Sequence, residues 1–130
     1  MRIRLNSVHV EDQAQALRFY TVILGFEKKL DMPLGEFRWL TVVSREEPDA
    51  AQLLLEPNAH PAAKAYQAAL MQDGIPSVSF EVSDIDAEFA RLSALDVRFV
   101  APPTDVGSAK IAVLDDTCGN LVQLYEETGS

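Results

Sequence analysis

One pattern occurs twice in this chain. Val10-Glu11-Asp12 follows an alternating apolar stretch and opens an amphipathic segment, and Val82-Ser83-Asp84 does the same 72 positions later. Each copy then turns through a Leu-led corner, Leu24-Gly25-Phe26 in the first and Leu95-Asp96-Val97 in the second, into further extended runs. A chain of 130 residues is a normal size for one domain, so the repeat predicts a single pseudo-symmetric domain with a shared core. A cleft where the halves meet is the natural place for a ligand.

In the first unit, Leu5 to Val10 alternates with a strand's period of two, with Ile3, Leu5 and Ser7 on one face and Val8 and Val10 on the other. Asp12 is placed to cap a helix, with Gln15 completing a capping box, and Ala16, Phe19, Tyr20, Ile23 and Leu24 form its apolar stripe. Gly25 supplies the left-handed residue that ends it. Strands are expected at 26–30, 37–43 and 52–56, which gives βαβββ. The second unit repeats that order: a strand at 77–82, a helix capped by Asp84 and running through Asp96, then strands at 97–100, 109–114 and 121–125. Asp96 stands where Gly25 stood and is the next most tolerant choice there. Between the units, Pro61, Ala62, Tyr66, Ala69, Leu70 and Gly74 predict a connecting helix. The division is module one at 1–57, the connecting helix at 58–75 and module two at 76–127.

The formal charge of −9 disfavours nucleic acid and anionic membrane surfaces and favours a neutral or cationic small ligand. No stretch approaches the ~18 apolar residues of a membrane span, and no signal-peptide core follows Met1, so a cytoplasmic protein is expected. The lone Cys118, set among the turn residues 115–120, has no partner for a disulfide or a zinc site and is taken as a loop cysteine. Phosphate-binding loops, nucleophile elbows and His-Glu-x-x-His zinc motifs are absent from the sequence.

The motifs in order, Val10-x-Asp12 through Phe19-Tyr20 to Leu24-Gly25-Phe26, then Phe80-x-Val82-x-Asp84 and Asp116-Thr117-Cys118-Gly119-Asn120-Leu121-Val122-Gln123-Leu124, resemble the vicinal oxygen chelate superfamily. That group includes glyoxalase I, bleomycin-resistance and fosfomycin-resistance proteins and extradiol dioxygenases. The resemblance covers essentially the whole chain. It implies an α+β fold, with two βαβββ modules forming curved mixed sheets around a cavity, and a homodimer.

The resemblance also implies four metal-ligand positions, one on the first and one on the last strand of each module. They fall on Leu5, on Leu54 or Glu56, on Ser77 and on Gln123. Hydrocarbon and hydroxymethyl groups replace the usual imidazoles, and an amide oxygen brings neither charge nor basicity. A metal-free cavity is therefore expected, with a divalent ion on Glu56 and Gln123 as the alternative. Classical glyoxalase I and extradiol dioxygenase activities are disfavoured with it.

Other side chains fill out the expected ligand site. His9 shares a face with Leu5 and Ser7, Ser79 and Glu81 share one with Ser77, and Trp39, Phe37 and Tyr125 can wall an apolar pocket or, in the first two cases, pack a dimer interface. Glu56 is the candidate catalytic residue, a general base if the strand end buries it and a solvated carboxylate if not. His60, beside Pro61, is placed as a cap. Two functions remain: a protein that binds and sequesters a small organic molecule, and a lyase, isomerase or dioxygenase relative that transforms one.

Overall fold

The computed structural model describes residues 1–129. Strand β1 (Leu5–Val10) leads into helix α1 (Gln13–Arg18), and β2 (Glu27–Leu34), β3 (Phe37–Val43) and β4 (Gln52–Pro57) complete the first module. Helix α2 (Pro61–Asp73) connects it to β5 (Val78–Glu81), α3 (Ile85–Ala94), β6 (Phe99–Asp105), β7 (Ala109–Asp115) and β8 (Leu121–Glu127). Each module forms one four-stranded mixed sheet, ordered β1-β4-β3-β2 and β5-β8-β7-β6. In both, the first strand runs parallel to the last because a helix separates them in sequence, and the remaining pairs are antiparallel. The expected α+β fold of two βαβββ modules is what the chain adopts.

Helix starts follow local chemistry. Asp12 accepts from the Gln15 N–H and Asp84 from the Ala87 N–H, each at 3.0 Å, while His60 accepts from the Ala62 N–H ahead of Pro61. The capping box at Asp12 is only half made, because the Gln15 amide reaches away to the Thr117 carbonyl at 2.9 Å. After Arg18 the helix widens into a π-helical turn, Phe19–Ile23, in which the Leu24 N–H donates to the Phe19 carbonyl. An apolar stripe does not distinguish that turn from an α-helical one. Gly25 and Asp96 both take positive φ, +95° and +64°, at the equivalent helix ends.

Strands β2 and β6 outrun their expected lengths, continuing through Pro33 and through Pro102-Pro103. Both are edge strands, where a missing N–H on the outer side breaks no ladder.

The two modules share one core. Val8, Val10, Leu40, Val42 and Leu55 pack with Ala16, Phe19 and Tyr20 from the first half and with Ile85, Leu92, Ala112, Leu114, Val122 and Leu124 from the second. Fully burying each large aliphatic side chain contributes about 1.5–3 kcal/mol. Tyr20 reaches across the junction, its ring 6.5 Å from Phe26 and 6.4 Å from Phe80 between centroids. Among the described residues no helix is long and apolar enough to cross a membrane.

Candidate ligand site

Alternation decides where the candidate residues sit. Because β1 buries Val8 and Val10 against the helices, Leu5, Ser7 and His9 take the opposite, helix-free face of sheet one. Parallel register sets Ser7 beside Leu54 and His9 beside Glu56, and Thr41 opposite Leu54 carries the same face onto β3. Trp39 and Phe37 follow, facing Met32 and Leu34 of β2. Leu5, Met32, Leu34 and Phe37 remain 43%, 48%, 58% and 36% exposed, an apolar surface beside a half-buried Trp39. A concentration of large apolar side chains on one face marks a contact surface more often than scattered ones do.

Sheet two has a matching face. Ser79 lies beside Gln123 and Glu81 beside Tyr125, with Ile111 and Val113 of β7 across from Tyr125 and Gln123. The Gln123 amide donates to the Ser79 hydroxyl at 3.2 Å. Ser77 precedes β5, and its hydroxyl donates to the Asn120 side chain. The structure thus gathers Leu5, Ser7, His9, Trp39, Leu54 and Glu56 on one face and Ser79, Gln123 and Tyr125 on another. None of them lines the clefts of about 750 and 590 Å³ found elsewhere on the chain.

A buried polar network joins the two modules through connections that the sequence pattern does not reveal. The Asp116 carboxylate accepts from the Tyr20 hydroxyl at 2.6 Å, from the backbone N–H groups of Cys118 and Asn120, and from the Asn120 amide. Asn120 also donates to the His9 carbonyl at 2.7 Å, and Gln67 of α2 donates to the same carbonyl at 2.9 Å. Gln13 clamps α1 to its sheet by donating to the Arg38 and Leu55 carbonyls and accepting from the Arg38 N–H. Glutamines on helix faces look solvated in sequence, and only tertiary packing buries these two. His9 presents its ring Nδ1 as the one buried side-chain polar atom without a hydrogen-bond partner among the described residues.

Electrostatics in this network are protective rather than reactive. Burial, reinforced by the Asp116 charge, pushes the Cys118 thiol up to about 12, so it is held as a thiol and is no nucleophile at neutral pH. Burial likewise raises the Tyr20 hydroxyl well above its ordinary value, with the Asp116 charge second.

The four positions that the sequence resemblance marks for a divalent ion carry a donor set poor in charge. Leu5 offers hydrocarbon, the Ser77 hydroxyl donates to Asn120, Gln123 donates its Nε2 to Ser79 and keeps a neutral amide oxygen, and Glu56 would supply the single charge. Among the described residues no group of three His, Cys, Asp or Glu side chains converges in metal-binding fashion.

Comparison with known proteins places this geometry in context. The sequence profile of the Glyoxalase/Bleomycin resistance protein/Dioxygenase superfamily matches residues 4–124. The uncharacterized protein YurT of Bacillus subtilis (strain 168) is 50% identical over 127 residues, covering 98% of this chain and 100% of that protein. Among solved structures, UcmS2 superposes with a TM-score of 0.82 at 31% identity, over 96% of this chain and 97% of its own. TnmS3, an antibiotic binding protein from Streptomyces sp. CB03234, superposes with a TM-score of 0.79 at 26% identity, over 98% and 97%.

Proposed function

Since this chain belongs to the glyoxalase/bleomycin resistance protein/dioxygenase superfamily, we propose that it binds a small organic molecule on the helix-free faces of its sheets and sequesters it without a metal. The observation that carries this reading is the apolar face of Leu5, Met32, Leu34, Phe37 and Trp39 left uncovered beside the polar pair His9 and Glu56. A flat or hydrophobic ligand gains most by covering such a surface. The antibiotic-binding activity of TnmS3 supports the same class of ligand.

In this reading a homodimer completes the site. Each helix-free face has one open side, and a second copy placing its sheet-two face, with Ser79, Gln123 and Tyr125, over the first copy's Trp39 face would enclose a cavity. The acidic chain, at −9, favours ligands that carry a positive charge. Localisation in the cytoplasm fits the same picture.

The test is a thermal-shift screen of aromatic natural-product antibiotics, followed by titration against the fluorescence of Trp39, the sole tryptophan. Hits that raise the melting point, change Trp39 emission and are recovered chemically unchanged support sequestration. Hits that bind with no response from Trp39 or its Ala variant overturn the placement.

One observation favours an enzymatic second reading. His9 and Glu56 are register partners at the ends of β1 and β4, a juxtaposition suited to proton transfer on a bound substrate. Turnover of a hit that Glu56→Gln abolishes without weakening its binding would establish that reading in place of sequestration.

A further inference from the structure

The two ends of the pseudo-symmetric domain are finished differently. Where β1 ends, α2 lies against the β7–β8 turn: Gln67 donates to the His9 carbonyl, and the Glu11 N–H donates to the Cys118 carbonyl at 3.1 Å. The equivalent place, 72 residues on, is where Glu81-Val82-Ser83 at the end of β5 meets Ser44-Arg45-Glu46 after β3. Among the described residues no helix fills it. A cleft of about 750 Å³ opens there, against a smaller one of about 590 Å³ that α2 itself lines at the twin position, and it falls well inside the ~300–1,000 Å³ range of small-molecule sites.

The cleft's floor is apolar and aromatic. Phe26 and Phe80 meet edge to face with centroids 4.9 Å apart, and Leu24, Leu92 and Leu124 line the same cleft. Its mouth is acidic: Glu46, Glu81 and Glu127 are exposed and take part in none of the ion pairs among the described residues, against one unengaged cation, Arg45. The other charged groups are already committed. Arg91 is held by Glu88 and by the Ile23 carbonyl, and Glu126 accepts from the Ile85 N–H.

We propose that this inter-module cleft is a second binding site, separate from the helix-free faces, for a lipophilic organic cation. An apolar body can cover the Phe26 and Phe80 rings while its positive charge rests against the ring faces and the three carboxylates. The twin groove shows that this scaffold tolerates a firmly seated occupant at the symmetric position, where α2 itself is the occupant. The charge of the whole chain raises the local concentration of such cations.

Tetraphenylphosphonium and tetraphenylborate, which share a shape and differ in sign, are the probes. In titrations of the full chain labelled with nitrogen-15, the phosphonium is expected to shift the amides of Phe26, Glu46, Val82 and Leu124 saturably, and the borate is not. The triple variant Glu46→Gln, Glu81→Gln, Glu127→Gln should weaken the phosphonium about tenfold with an unchanged melting point, since these side chains are exposed. Trp39→Ala should leave phosphonium binding at the cleft intact, which separates this site from the sheet faces. Equal binding of the borate, shifts confined to β1, β3 and β8 residues such as Ser7, Trp39 and Gln123, or no saturable shift at millimolar phosphonium would each overturn the proposal.

Discussion

Tyr20 and Asp116 stand 96 positions apart in sequence and are joined by a 2.6 Å hydrogen bond in the core. One belongs to the π-helical turn of the first module and the other to the last hairpin turn of the second, so the bond ties the two repeats directly. Both side chains are fully buried, and Asp116 also organises its own turn through the Cys118 and Asn120 N–H groups. Losing a donor to a buried carboxylate is therefore felt in both modules.

Tyr20→Phe keeps the ring packing and removes that donor. The expected cost is about 1–3 kcal/mol in chemical denaturation, with an unchanged dependence on denaturant concentration. Asp116→Ala, which also strips the turn of its acceptors, should cost more. A Tyr20→Phe variant as stable as the parent would show that the bond contributes nothing to joining the halves.

Cys118 predicts a pH dependence with a definite sign. Its thiol lies near 9.0 in an unfolded chain and is pushed up to about 12 in the fold, chiefly by burial. The neutral form is the one the fold prefers, so this contribution is complete below pH 9 and is lost as the pH rises through about 12. Native protein at pH 9 should react slowly with a thiol reagent and guanidinium-unfolded protein rapidly, and Cys118→Ala should flatten the alkaline loss of stability. Fast native labelling would contradict the buried thiol.

Much of the fold was legible because local and global signals agree. The 72-residue repeat, the Asp12 and Asp84 caps, and Gly25 with Asp96 at the helix ends each have a chemical reason that operates within a few residues. What escaped depends on contacts between distant segments. Gln15 caps nothing because Thr117 competes for its amide, and Gln13 and Gln67 are buried by strands and turns that no periodicity reveals. Strand alternation groups His9 with Leu5 and Ser7, and Trp39 with Phe37, as cavity-lining candidates. It does not fix how the faces of the two sheets are set against each other, because that depends on how the modules pack through Tyr20, Phe26 and Phe80.

The exposed face of sheet one sets an expectation for assembly. If a second copy covers it, the protein in solution should have twice the 14.3 kDa chain mass by light scattering. Leu34→Glu places a charge at a 58% exposed position on that face and should yield a monomer with unchanged circular dichroism. Lys64→Glu, on the remote helix α2, should leave the mass alone. A monomeric parent would refute the shared-site arrangement.

Gly119 and Gly107 form a natural pair for separating strain from collision. Their φ angles, +99° and +106°, are almost the same, yet a Cβ on Gly119 would stand 2.8 Å from both Gln67 Nε2 and Glu11 Oε1, whereas one on Gly107 would meet nothing within 4 Å. Gly107→Ala should cost about 1–3 kcal/mol from backbone strain alone. Gly119→Ala should cost more than Gly107→Ala, because Gln67 must give up its bonds to the His9 carbonyl and Asn120. Hydrogen exchange in α2 should accelerate in Gly119→Ala and stay unchanged in Gly107→Ala. The Gln67→Ala, Gly119→Ala double variant should fall short of the summed single losses, since the first change removes one of the two obstacles to the second. Additive losses would mean that Gln67 yields freely and that α2 is not anchored through this contact.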